Sequence, residues 1–186
     1  AGVGGQGILS IATIIGEAAI ADNLYIKQAE VHGMSQRGGD VQSTLRLSTE
    51  PIYSDLIREG SADLIISMEP MEALRYLSYL KKDGWVVTST VPFVNIPNYP
   101  AEEELTKHLA ALPNCVSLNV EQLAKDAGAP LQAANMVLLG AAIPMLDIEF
   151  EKIEAGIRRI FARKGEEVIE KNLAAVRAGY DNSIKK

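Results

Sequence analysis

Residues 30–42 read EVHGMSQRGGDVQ and place His32, Ser35, Gln36, Arg37 and the pair Gly38–Gly39 on one short connection between two strand-like runs. Arg37 is a permanently charged fork suited to carboxylate or phosphate. His32 can change charge near neutral pH, and Gln36 offers both a donor and an acceptor. The two glycines let the backbone turn or come close to another surface. A second candidate opens the chain: GVGGQG supplies Gly2, Gly4, Gly5, Gln6 and Gly7 in the spacing Gly2-x-Gly4-x-x-Gly7, directly before a helical run. Glycines there permit a tight turn and a close ligand approach, and the free N–H groups of a helix start attract anions.

Plainer readings compete at each position. The glycine segment can be a strand-to-helix turn with no ligand, and the Gly38–Gly39 pair a simple chain reversal. His32 can be a structural residue, and Arg37 can be solvated or paired with Asp40. The glycine spacing also admits a dinucleotide site, which wants an acidic residue about 20 positions on. Glu30 lies near that place. Against it, the chain after Glu30 turns at once into an antiparallel partner where a βαβ unit would place a helix. No Lys-Ser or Lys-Thr follows the glycines, so the Walker pattern is absent, and no Tyr-x-x-x-Lys pair offers nicotinamide chemistry.

The elements that must position these residues alternate between strand and helix, which favours an α/β layered fold. Residues 6–21 read as a nearly all-apolar, buried helix with a thin stripe of Ser10, Thr13 and Glu17. Residues 24–31 read as a strand. Residues 41–48 alternate cleanly as a half-exposed strand, and the short link predicts antiparallel pairing of the two. Strands are expected at 62–68, 84–90 and 115–120, and helices from Pro70 to about Leu80 and near 101–111. Three prolines in VPFVNIPNYP exclude regular structure there. Residues 131–146 form an apolar Ala- and Gly-rich helix that Pro144 bends or ends, with Asn135 expected to bond to backbone rather than to a ligand. Two further helical stripes, Phe150–Phe161 and Ile169–Tyr180, are separated by Gly165 and read as core.

Composition narrows the chemistry. The chain has 186 residues, 47% hydrophobic and 23% charged, which suits one globular domain. A net charge of −6 argues against a nucleic-acid partner. No apolar run is long enough for a transmembrane helix, and nothing resembles a signal peptide, so a cytoplasmic location is expected. Cys115 is the one cysteine, whereas an iron–sulfur cluster usually needs about four. His32 and His108 show no metal-ligand spacing, so no metal site is expected.

GVGGQGI followed by EVHGMSQRGGDV, then EPMEALR (69–75) and NMVLLGAA (135–142), resembles the gamma-type subunit of 2-oxoacid:ferredoxin oxidoreductases over nearly the whole chain. HGMSQRGG is the specific part of that resemblance. It implies CoA-dependent oxidative decarboxylation of aryl 2-oxoacids in anaerobic aromatic amino-acid catabolism, with ferredoxin accepting the electrons. It also implies that thiamine diphosphate and the iron–sulfur clusters sit mainly on a large alpha subunit, with no cofactor held by this chain alone. The expected fold is a three-layer α/β/α, Rossmann-like domain over residues 1–186. Its sheet is mixed and mostly parallel, helices close the C-terminal end, and a first strand is expected upstream of residue 1. The expected partner-facing set is His32, Ser35, Gln36, Arg37, Gly38 and Gly39. Gly2, Gly4, Gly5, Gln6 and Gly7 are the candidate cofactor contacts, and no catalytic residue is assigned to this chain. The expected partners are the alpha subunit and, through the complex, ferredoxin, with a homodimer when the subunit is isolated. The competing expectations are a stand-alone NAD(P)-binding oxidoreductase and a non-catalytic binding protein using the same cleft.

Overall fold

The computed structural model describes residues 1–32 and 38–184. Ser35, Gln36 and Arg37 of the predicted partner-facing set therefore lie outside the described residues. The hairpin forms as the alternation predicts: β2 (Tyr25–His32) pairs antiparallel with β3 (Asp40–Ser48), from Tyr25 opposite Ser48 to His32 opposite Val41. The short β1 (Gly2–Val3) pairs with the other edge of β3, Gly2 opposite Val41 and Val3 opposite Asp40. A parallel set follows, β4 (Ala62–Ser67), β5 (Leu80–Ser89) and β6 (Cys115–Leu118), with β5 in the middle.

Ala1 joins the two sets. Its nitrogen donates to the Ile66 carbonyl at 2.7 Å, and the Met68 N–H donates to the Ala1 carbonyl at 3.1 Å. One residue bonding to both flanks of the residue opposite is the parallel pattern, so β1 runs alongside β4. The resulting order is β2-β3-β1-β4-β5-β6, antiparallel in its first part and parallel in its second.

Seven α-helices complete the described chain. They are α1 (Ile8–Ala21), α2 (Pro70–Arg75), α3 (Glu102–Ala110), α4 (Val120–Asp126), α5 (Ala134–Ala142), α6 (Phe150–Phe161) and α7 (Glu166–Ser183). Alternate residues of the parallel strands feed opposite faces. Ile65 and Val86 pack with Ala73 of α2 and Leu109 of α3, while Val87 and Val116 join the larger core built with α1 and α4 to α7. The parallel half is thus the middle of three layers, and the C-terminal helices close one side of it. Ile153 and Ile157 of α6 are fully buried, each worth about 1.5–3 kcal/mol of transfer free energy. Gly165 separates α6 from α7 with φ 91°.

Four elements depart from expectation, two in their boundaries. α2 ends at Arg75 and a short 3₁₀ turn precedes β5, which begins at Leu80 rather than near residue 84. The polar run Lys81-Lys82-Asp83 hides this strand start: it is the solvent-facing end of the central strand, where Lys81 pairs with Asp63 at 2.7 Å. α4, capped by the Asn119 side chain on the Gln122 N–H at 3.0 Å, follows β6 without having been anticipated. α1 is less enclosed than its composition suggests, since Leu9 and Ile20 are exposed at the rim of the fold.

Candidate functional site

From β1 the chain leaves through α1 to β2 and β3 on one side, and from β4 it leaves through α2 to β5 on the other. That reversal is a topological switch point, and in open α/β sheets ligands and partners meet the crevice outside the carboxyl ends of the strands there. The residues at those ends are the glycine turn after β1, the stretch Met68-Glu69-Pro70 after β4 and the proline-rich loop 90–100 after β5.

The structure brings the two sequence-predicted motifs together at this crevice. The Gly4 N–H donates to the Gly39 carbonyl at 2.8 Å. Gly38 adopts φ 79°, where a side chain is disfavoured, and its carbonyl accepts from Asn95 Nδ2 at 2.7 Å. His32 ends β2 opposite Val41, at the same end of the sheet.

The glycine turn is largely closed on itself. Gln6 Oε1 accepts from the Val3 N–H at 2.7 Å, and the Gln6 N–H donates to the Val3 carbonyl at 3.1 Å. Gln6 Nε2 reaches the Met68 carbonyl at 3.5 Å, bridging the switch point. A Cβ on Gly2 would lie 2.6 Å from Ile8 Cδ1, and one on Gly7 2.5 Å from Asn135 Nδ2. Gly5 alone in the turn is exposed with nothing near a Cβ. The amides of Val3, Gly4 and Gln6 are thus spent within the protein, so the glycines here answer first to chain geometry. Asn135 does bond to backbone, donating to the Gly7 carbonyl at 3.1 Å.

Glu30 does not fill the dinucleotide role. It sits on β2, which β3 separates from β1, so the adjacent parallel βαβ pair that a ribose-binding acid requires is not formed. Glu30 is exposed and accepts from Gln28 Nε2 at 2.8 Å. Glu17 belongs to the polar stripe of α1, away from the crevice. It pairs with Arg159 of α6 at 2.8 Å and borders a separate open groove of about 410 Å³ between α1 and β2.

Sequence reading missed the side chain that organises the crevice wall. Glu69 is fully buried, at 0% exposure. Its Oε2 accepts from the Glu72 N–H at 2.8 Å, capping α2, and its Oε1 accepts from the Phe93 N–H at 3.2 Å and from the Tyr99 hydroxyl. The usable signal was an acid directly before Pro70, in N-cap position; its partners 24 and 30 residues on were not legible. Glu72, also buried, pairs with Arg75 Nε at 3.0 Å. Burial pushes the Glu72 carboxyl above the usual carboxylate range; Arg75 opposes this, and Glu69 and Asp40 add to it. Burial and the charge of Asp40 push the Tyr76 hydroxyl up to about 12, and it donates to Asp40 Oδ2 at 3.4 Å. The Tyr99 hydroxyl is likewise raised, by burial and by its bond to Glu69. Among the described residues no group of three or more His, Cys, Asp or Glu could hold a metal ion, and no helix is long and apolar enough to cross a membrane.

The family model for pyruvate ferredoxin/flavodoxin oxidoreductases matches residues 1–182. Indolepyruvate oxidoreductase subunit IorB of Archaeoglobus fulgidus is 35% identical, covering 98% of this chain and 92% of its own length. The IorB subunit of Thermococcus kodakarensis is 39% identical over 84% of this chain and 82% of that one. Among solved structures, a keto/oxoacid ferredoxin oxidoreductase gamma subunit from Geobacter sulfurreducens superposes with TM-score 0.69 at 23% identity, covering 100% of this chain and 96% of the other. A 2-oxoglutarate:ferredoxin oxidoreductase chain from Magnetococcus marinus gives TM-score 0.75 at 21% identity; all of this chain matches 30% of that longer one.

Proposed function

The chain belongs to the pyruvate ferredoxin/flavodoxin oxidoreductase family, and we propose that it is the small, gamma-type subunit of an indolepyruvate (arylpyruvate):ferredoxin oxidoreductase, inactive alone. The aryl assignment rests on one contrast. Four IorB subunits are 35–39% identical to this chain. The pyruvate/ketoisovalerate common gamma subunits and a 2-oxoglutarate synthase subunit are 26–27% identical.

In the reaction the 2-oxoacid loses its carboxyl as CO₂, two electrons pass to ferredoxin, and coenzyme A takes the acyl group as a thioester. Thiamine diphosphate supplies the carbanion chemistry and iron–sulfur clusters the electron path. This chain's residues suit neither: one cysteine is short of a cluster's thiolates, and the glycine-turn amides of Val3, Gly4 and Gln6 that a diphosphate would need are already bonded within the protein. Both are therefore assigned mainly to the large alpha subunit. The contribution of this chain is a shaped surface. Its switch-point crevice, bordered by Gly4 to Gly7 and Gly38–Gly39, meets that subunit beside the thiamine site, and the contact is assigned also to His32, Ser35, Gln36 and Arg37 of the same connection in sequence, Arg37 being suited to a carboxylate or a CoA phosphate.

Reconstitution with the large subunit tests this. The complex should reduce ferredoxin when given indolepyruvate and CoA, and more efficiently than when given pyruvate. Arg37→Ala should lower turnover or assembly while the isolated chain stays folded. A variant complex as active as wild type removes the role given to Arg37, and preference for pyruvate removes the aryl assignment.

A further inference from the structure

The loop after β5 has two faces of opposite character. Inward, it is tied down by polar bonds: the Phe93 N–H and Tyr99 hydroxyl donate to buried Glu69, and Asn95 Nδ2 donates to the Gly38 carbonyl at 2.7 Å. Outward, it displays apolar side chains, with Phe93 42%, Val94 70% and Ile96 37% exposed. A loop without secondary structure of its own usually carries polar side chains outward and stays mobile. Here a fully buried carboxylate, expensive to desolvate, fixes the loop in place while its apolar tip faces solvent. A preordered apolar tip loses little conformational entropy on docking, which is what an interface anchor requires. The chain then enters α3 with Glu102, Glu103 and Glu104 exposed in the first turn, so an acidic stretch follows the apolar one directly.

We infer that Phe93, Val94 and Ile96 form a docking knob for the large subunit, held in position by Glu69 and Asn95 and seated in an apolar pocket whose rim carries lysine or arginine. This rests on the subunit reading above. It is favoured over other occupants because Asn95 makes the knob continuous with the crevice at Gly38 and because the IorB relatives are themselves named as subunits. Glu69, Tyr99 and Asn95 are positioning residues: they set the knob's place and touch no substrate.

The test is binding of the full chain to the purified large subunit by biolayer interferometry, at low and high salt. Phe93→Ser and Val94→Ser should each raise Kd by about 10-fold or more, as truncation of an interface anchor does. Both sites are exposed, so the far-UV circular dichroism and urea midpoint should match wild type. Tyr99→Phe should raise Kd by a smaller factor and speed hydrogen exchange at the Phe93 amide, a change that loss of contact area alone would not produce. Salt should weaken wild-type binding, and Glu102→Lys with Glu103→Lys should weaken it at low salt only. If wild type binds and both serine variants bind equally well, this inference fails while the subunit reading stands. If wild type does not bind the large subunit, both fail. If the serine variants disrupt a homodimer but leave large-subunit binding intact, the knob serves self-association and the inference is overturned.

Discussion

Asn135 and Gly7, 128 residues apart in sequence, fit against each other at the head of α1. Asn135 Nδ2 donates to the Gly7 carbonyl at 3.1 Å, and Gly7 holds φ 76°, with its hydrogen where a Cβ would stand 2.5 Å from that nitrogen. The amide side chain thus fixes the turn that presents Gly4 to Gly39. Gly7→Ala should cost about 2 kcal/mol or more, from the left-handed backbone and the collision together. Asn135→Ala should cost about 1 kcal/mol for the lost bond. The double variant should cost less than the sum, because removing the amide group clears the space that the new methyl needs. Urea unfolding of the three variants measures this, and strict additivity would contradict the packing account.

A tighter approach holds α5 against α7. A Cβ on Gly140 would lie 1.9 Å from the Val176 carbonyl oxygen, and one on Gly179 1.9 Å from that of Val137. Alanine is the better helix former by about 1 kcal/mol, so propensity alone predicts that Gly140→Ala stabilises. Contact with a rigid backbone outweighs it. Each single variant should lose about 3 kcal/mol or more, and the double should lose less than twice that, since one separation of the helices relieves both collisions. A stabilised Gly140→Ala in thermal melts would refute the close crossing.

These two contacts show what the sequence could and could not convey. The hairpin was readable because strict alternation from Val41 to Ser48 leaves one register that turns Val41, Leu45 and Leu47 toward the core, Val41 buried and the two leucines half-buried against it. α1 and the stripes of α6 and α7 were readable for the same periodic reason. The GG pair and the glycine turn were legible as special backbone, and the resemblance located them in one family. Their contact through Gly4 and Gly39 was not legible, because it depends on β3 inserting between β1 and β2, a topological choice that neither strand's composition records. Glu69 was hidden because its partners, Phe93 N–H and Tyr99, lie in a proline-rich loop whose path no periodicity encodes. The run Lys81-Lys82-Asp83 obscured the start of β5 because exposed strand ends look like loops.

Glu72 gives a pH signature. Its carboxyl is raised in the folded chain, mainly by burial, with Arg75 opposing and Glu69 and Asp40 adding to the rise. The folded protein therefore binds the proton more tightly than the unfolded chain does. Stability from this group is present below the unfolded carboxyl value of about 4.3 and is lost as pH rises through the folded value. Glu72→Gln imitates the protonated form at every pH. The variant should be close to wild type near pH 4 and progressively more stable relative to it toward pH 8. Chemical denaturation across that range measures the trend, and a gap that narrows or reverses with rising pH would contradict the direction of the shift.

Glu69 predicts a graded series. Glu69→Ala strands three donors, the Glu72 and Phe93 N–H groups and the Tyr99 hydroxyl. Buried donors without partners cost about 1–3 kcal/mol each where water does not reach them, so a loss of about 3 kcal/mol is expected after partial solvation of the loop. Glu69→Gln keeps one carbonyl acceptor but turns an NH₂ toward a donor, so it should fall between alanine and wild type. Tyr99→Phe removes one donor and leaves Oε1 satisfied by Phe93, for about 1 kcal/mol. The order Ala, Gln, wild type in urea midpoints, with Phe93 amide exchange accelerating as stability falls, would establish that one buried carboxylate ties the β5 loop to α2. If Glu69→Gln proved as stable as wild type, the charge would be superfluous, and shape alone would account for the loop's position.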